Sequence, residues 1–274
     1  MRNFIKNSNE GISFWGAIGA LLLYYFILPS IVVGIVFGII EGIAHIQPNT
    51  IIAAWVDQIA SVFTYIIAIL LMFKFLNKKG LKGLSIKGNI NANCFVFILL
   101  FFSGYVLFRG NSIDLITRQI PIPKFIEEAF SNMVVNNYIM FFGAAIIAPI
   151  FEEIVCRGII LQLFLKRYND IVSVIFSAII FGLIHMNVPQ FINACIIGIV
   201  LGYVYLKTKS LIACIIGHFI NNIIACILMI VKPNAFEKFN LVQLSIGALL
   251  IALSIIVARK NLKESNVNEV QLNA

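Results

Sequence analysis

Three stretches of the sequence set ionisable or amide side chains inside otherwise apolar runs: "FEEIVCR" (151–157), "FGLIH" (181–185) and "HFINN" (218–222). If such runs cross a bilayer, each ionisable group costs about 2.5–3.5 kcal/mol on insertion scales, and its presence points to function by default. The set is Glu152, Glu153, Arg157, His185 and His218, with Asn222 as a polar companion. Helical spacing sorts it. Glu153 and Arg157 are four residues apart, share a face and can form a charge-assisted pair. Glu152 is rotated about 100° from Glu153 and stands five residues from Arg157, so it is left free to face a cavity. Asp57 and His45, near the ends of their segments, read as wetted boundary residues. Asn221 points away from the face of Asn222 and reads as packing.

A carboxylate and two imidazoles in a low-dielectric cavity suit water activation. Desolvation favours a carboxylate able to take a proton, and a histidine can share that proton or hold the water. Amide and imidazole N–H groups suit a developing oxyanion. These are the parts of an amide hydrolase. Depth is compatible with a meeting point. At a rise of ~1.5 Å per residue, Glu152 lies ~20 Å from Leu165, His185 ~21 Å from Ile171, and His218 and Asn222 ~12 and ~18 Å from Ser210. Taken singly, a spanning histidine packs and an asparagine bonds between helices; the combination favours a site.

The elements that must position these groups are apolar helices. The chain has 274 residues, 61% hydrophobic and 12% charged, with a mean hydropathy of +0.99. A soluble domain carries about 25% charged residues. Continuous apolar runs, rather than strands alternating every second residue, predict an all-α polytopic membrane bundle and favour helices over a barrel. Eight apolar segments are expected at 12–40, 51–76, 93–109, 138–165, 171–186, 190–206, 210–231 and 240–258, forming one transmembrane domain over 1–274. The first contains Pro29, which predicts a kink or tilt, and is too long for a cleaved signal. The fifth and sixth are short, which puts "HMNVPQ" (185–190) at membrane depth.

With both termini cytoplasmic, fourteen Lys and Arg fall in inner segments and five in outer ones, and Arg157 lies in the membrane. That bias fits the positive-inside rule. The net charge of +8 is scattered between spans, so it is no nucleic-acid footprint. The loop "KFLNKKGLKGLSIKGN" (74–89) reads as held by anionic headgroups, and 121–137, with Glu127 and Glu128, as an interfacial helix. Cys94, Cys156, Cys195, Cys214 and Cys226 show no CxxC spacing and read as small buried hydrophobes.

The double glutamate with its arginine, Phe-x-x-x-His and His-x-x-x-Asn, in that order and in separate apolar segments, resemble the three motifs of the CPBP (Abi) intramembrane protease family. That family includes the type II CAAX prenyl proteases. The resemblance covers about 138–231 and implies an eight-helix bundle with its catalytic cavity inside the membrane. It implies that Glu152 and His185 activate water and that His218 and Asn222 stabilise the oxyanion, with Glu153–Arg157 a structural pair. Family members have been described both as metalloproteases and as glutamate-dependent enzymes without metal. No HExxH is present, so no cofactor is expected; a bound zinc would draw on Glu152, His185 and His218.

The expected partners are membrane lipids and a membrane-associated or lipidated peptide in a bacterial plasma membrane. Type II members in eukaryotes remove the last three residues of prenylated proteins, whereas the Ile-, Asn- and Lys-rich usage here resembles AT-rich bacterial genomes. Bacterial relatives are associated with peptide processing and bacteriocin immunity. The competing expectation is therefore a non-catalytic immunity or sensor-partner protein that uses the polar cluster for packing. A transporter is disfavoured because the halves lack a matched pair of broken segments.

Overall fold

A computed structural model describes residues 5–6, 9–44, 51–81, 83–88, 90–127, 137–232 and 235–261. Nine helices, together with a tight helical turn at Asn77–Lys79 and a helical stretch at 124–127, make up most of the described residues, among which there is no strand, only an isolated bridge between Ile5 and Tyr168. Helix α1 runs through Phe14–Leu21, a π-type turn at Leu22–Ile27, and Leu28–Ala44. Helix α2 is Ile51–Leu76, α3 Ala92–Gly110 and the short α4 Ile113–Thr117. Helix α5 comprises Asn137–Phe141, a π-type turn at Phe142–Ile147, Ala148–Glu153, a second π-type stretch at Ile154–Leu161, and Gln162–Arg167. Asp170–Leu183 is α6, Val188–Thr208 α7, Leu211–Val231 α8 and Leu241–Asn261 α9.

All eight apolar segments of the sequence are thus helices. Six of them, α1, α2, α3, α7, α8 and α9, are long and apolar enough to cross a membrane. Helix α6 has 14 residues and is shorter than a span, and α5 carries the three charges. Helix starts are set locally. Ser13, Asn91, Asn169, Asn187 and Ser210 each cap an N-terminus by accepting a backbone N–H from three residues on. Pro29 does not break α1. The N–H of Leu28 bonds back five residues to the Leu23 carbonyl, and the π-type turn carries the helix past the proline.

Helix α5 is the core of the bundle: Val155 through Leu161, with Leu163 and Phe164, are all buried. Large apolar side chains face outward instead on the peripheral helices, among them Ile31 and Ile35 on α1, Phe63 and Leu70 on α2, and Leu249 and Ile256 on α9. That surface suits lipid, and it leaves α5 surrounded by protein, where ionised groups can find partners. Cys94, Cys156, Cys214 and Cys226 are free and buried, and Cys195 is free and half-buried.

The basic loop after α2 does more than face headgroups. The N–H groups of Leu211 and Ile212 donate to the carbonyls of Ser85 and Ile86 at 2.9 and 3.1 Å. Ser210 Oγ donates to Ile86 at 3.1 Å, and Ser85 Oγ donates to the Lys209 carbonyl. Leu84 covers α5 where Gly158 leaves room: a Cβ there would lie 2.5 Å from Leu84 Cδ2. The loop therefore straps the α7–α8 corner onto the bundle. Of the expected interfacial helix, 124–127 are helical; Glu128, like His45, lies outside the described residues.

Candidate active site

The Glu153–Arg157 pair forms as the spacing predicts. Arg157 Nη1 donates to Glu153 Oε1 at 2.8 Å, and both side chains are fully buried. Two further contacts hold the guanidinium. Its Nη2 donates to the Gly198 carbonyl on α7 at 3.1 Å, and its Cζ sits 4.6 Å from the centre of the Phe181 ring. Gly198 also lets α7 approach α6 closely, since a Cβ there would meet Ala178 at 2.9 Å.

Glu153 also has a partner that the spacing does not reveal. The same Oε1 lies 2.9 Å from His218 Nδ1 on α8. A carboxylate only accepts, so Nδ1 carries the proton and Nε2 is left to face outward. That Nε2 lies 3.8 Å from Glu152 Oε2. His185 is fixed by the same logic: its Nδ1 lies 3.1 Å from the Phe181 carbonyl, so Nδ1–H donates and Nε2 is an acceptor. Phe181 stands between the two imidazoles, edge-on to each, with centroids 5.5 Å from His185 and 5.4 Å from His218. The phenylalanine of "FGLIH" thus packs against the buried cation and against both histidines.

Asn222 is positioned by a proline. The Ala148 N–H bonds to the Gly143 carbonyl five residues back, and Pro149 has no N–H. Neither usual helical donor is then available to the Ala144 carbonyl, which accepts from Asn222 Nδ2 at 2.8 Å. Asn222 Oδ1 accepts from Asn221 Nδ2 at 2.9 Å. With one Nδ2–H spent on Ala144, the other remains to donate.

A cavity of about 540 Å³ joins these groups; Glu152, His185, His218 and Asn222 all line it, and Glu153 and Arg157 do not. The four site candidates expected to share a space do share one, and the ion pair sits behind it. Asn221 departs from expectation. It lines the cavity and orients Asn222, because α8 turns that side of its surface toward the cavity rather than into packing. The sequence reading also missed Tyr25 and Tyr65, whose tilted rings lie 5.2 Å apart, and Arg109, Gln190 and Asn193, all of which line the same space. Arg109 and Asn193 are the two with a visible sequence signal, a cation and an amide in apolar helices.

A catalytic zinc needs three converging protein donors and an open position. Among the described residues no three His, Cys, Asp or Glu side chains are grouped closely enough to hold a metal ion. As arranged, Glu152, His185 and His218 do not form such a group.

Fold and site together define a polytopic helical membrane protein with a carboxylate–imidazole cluster facing an internal cavity. Residues 134–224 match the family described as type II CAAX prenyl endopeptidase Rce1-like. This span holds all three motifs, and over it the chain is similar to that family. It is also 25% identical over 222 residues to a Bacillus subtilis (strain 168) protein named "Putative membrane peptidase YdiL", the similarity covering 77% of this chain and 88% of that one. No solved structure gives a significant match.

Proposed function

We propose that the chain is an intramembrane endopeptidase that hydrolyses a peptide bond of a membrane-associated or lipidated peptide in a bacterial plasma membrane. One observation carries this reading. Of the two adjacent glutamates, Glu152 alone lines the cavity, opposite His218 Nε2, while Glu153 is consumed in holding Arg157 and His218.

In the proposed reaction Glu152 takes a proton from water, whose oxygen attacks the scissile carbonyl carbon. His185 Nε2, an acceptor, holds the water's other hydrogen. The tetrahedral oxyanion takes the free Nδ2–H of Asn222 and an N–H from His218. With Nδ1–H committed to Glu153, His218 can donate through Nε2 only as an imidazolium, and the Glu153 carboxylate behind it supports that charge. The C–N bond breaks as the proton passes to the leaving amine. A general base of this kind contributes about 10²–10⁴ in rate.

The test compares membrane peptides from cells carrying the active protein and a Glu152→Ala variant. Peptides cut only in the former identify substrate and site. A Glu152→Ala protein made at normal levels that still cuts them sinks the proposal. The proposed reaction routes no step through a metal, so a chelator leaves cleavage by the purified protein unchanged.

A further inference from the structure

The connection "HMNVPQ" between α6 and α7 forms one wall of the cavity: His185, Met186 and Gln190 all line it. Asn187, buried in this connection, organises it through three side-chain hydrogen bonds. Its Oδ1 accepts the Gln190 backbone N–H at 2.9 Å, which caps α7 and fixes which end of the amide is the oxygen. Its Nδ2 then donates twice, to the His185 carbonyl at 2.8 Å and to Gln190 Oε1. Both Nδ2–H groups are therefore spent, one on the residue proposed to hold the water and one on a side chain of the cavity wall. Met186, between His185 and Asn187, has a left-handed backbone (φ 52°) that non-glycine residues rarely adopt. Such strain persists where the surrounding bonds hold a site in one geometry.

The same bond orients Gln190. A donor on Asn187 requires the acceptor end of the Gln190 amide, so Oε1 is turned toward Asn187 and the two N–H groups of Nε2 are left over. Among the described residues no hydrogen bond is made by this Nε2. Gln190 also begins the face of α7 that continues along the cavity through Asn193, Ala194 and Ile197, at helical spacing. The walls beside it are apolar, with Ile184, Met186, Ala194 and Ile197 among them. A neutral amide donor in apolar surroundings suits a neutral acceptor, since an anion would lose its hydration there without gaining a free counter-charge. Arg109, which lines the cavity too, is already paired with Asp114 at 2.9 Å. A peptide carbonyl is a neutral acceptor of this kind, and once out of water it needs a donor from the protein.

We propose that Gln190 binds the substrate main chain, donating Nε2–H to a peptide carbonyl beside the scissile bond, and that Asn187 is the positioning residue that sets both Gln190 and His185. Neither Asn187 nor Gln190 belongs to the three sequence motifs. The proposal rests on the peptidase reading above.

The experiment uses the full chain in lipid nanodiscs and two matched pools, N-lauroyl octapeptides and N-lauroyl octadepsipeptides, whose ester carbonyls are weaker acceptors. Retention over empty nanodiscs is read on the Glu152→Gln protein, so that binding is measured without turnover. Gln190→Met keeps the side-chain length and removes both donors. It is expected to lower peptide retention about 10-fold, and depsipeptide retention distinctly less. Asn187→Asp keeps the cap acceptor, loses both Nδ2 donors and draws the Gln190 Nε2–H to itself. It is expected to lower peptide retention as far as Gln190→Met does, and the double variant no further. On lauroyl peptides that wild type cuts, Gln190→Met raises KM more than it lowers kcat. Asn187→Asp raises KM and also lowers kcat at least ~10-fold, because the His185 carbonyl loses its donor. If no peptide is cut but Glu152→Gln retains peptides in a Gln190-dependent way, the hydrolase reading falls and the peptide site stands. Equal losses for peptides and depsipeptides, additive losses from Asn187→Asp and Gln190→Met, or retention of neither pool overturns the proposal.

Discussion

Glu152 and Glu153 are neighbours in sequence with opposite surroundings, and isosteric substitutions separate them. Glu152→Gln removes a carboxylate that faces the cavity at 3.8 Å from its nearest imidazole nitrogen. Cleavage is expected to fall by about 10²–10⁴ with the temperature of half-aggregation in detergent unchanged. Glu153→Gln instead leaves Arg157 buried without its anion, a loss of about 3–5 kcal/mol. It also replaces the anionic acceptor of the His218 Nδ1–H with a neutral amide. That variant is expected to aggregate at a distinctly lower temperature and to lose cleavage as well. Equal melting of the two variants would show that Glu153 is not the buried counter-ion. The pair also shows how far spacing reaches: four residues on a helix predict Glu153–Arg157, whereas the bond to His218 joins residues 65 apart and arises only where α5 and α8 touch.

Both prolines that sit inside long helices, Pro29 and Pro149, follow the same local pattern. The N–H of the preceding residue bonds five residues back, and a π-type turn absorbs the missing donor. In α5 this device has a use, because it delivers the Ala144 carbonyl to Asn222. Pro149→Ala restores a backbone N–H that competes for the freed carbonyls, so Asn222 loses its anchor. Misplacement of a catalytic group by about 1 Å can cost ~10²-fold. Pro149→Ala and Asn222→Ala are each expected to reduce cleavage at least ~10-fold, and the double variant should be no slower than Asn222→Ala alone. Additive losses in that cycle would show that the proline acts elsewhere. Helix existence was legible from apolar run length. The π-type turns were not, because a proline alone does not say whether a helix kinks, ends or shifts register.

At the scale of the whole molecule, charge distribution predicts orientation. Lys74, Lys78 and Lys79 flank the end of α2, and Lys166 and Arg167 that of α5; Lys207 and Lys209 fall where α7 gives way to α8. Strap and N-terminus join these elements at one end of the bundle: Lys6 N–H donates to the Arg167 carbonyl at 2.7 Å, and Gly11 N–H to that of Lys79 at 3.1 Å. By the positive-inside rule this end is expected to face the cytoplasm. A fluorescent-protein fusion to the C-terminus should therefore glow, and an alkaline phosphatase fusion there should be inactive; the reverse result overturns the orientation.

The sequence by itself determined the membrane class, the helices and the residue types of the site, because hydropathy and helical spacing are local properties of the chain. It also separated Glu152 from the Glu153–Arg157 pair, since both lie on one helix. Only the tertiary structure decided that Glu153 holds His218, that Phe181 packs against the cation and both imidazoles, that Asn221 turns inward, and that Arg109 enters the same cavity. Those relations join residues of different helices, and packing rather than periodicity sets which faces meet.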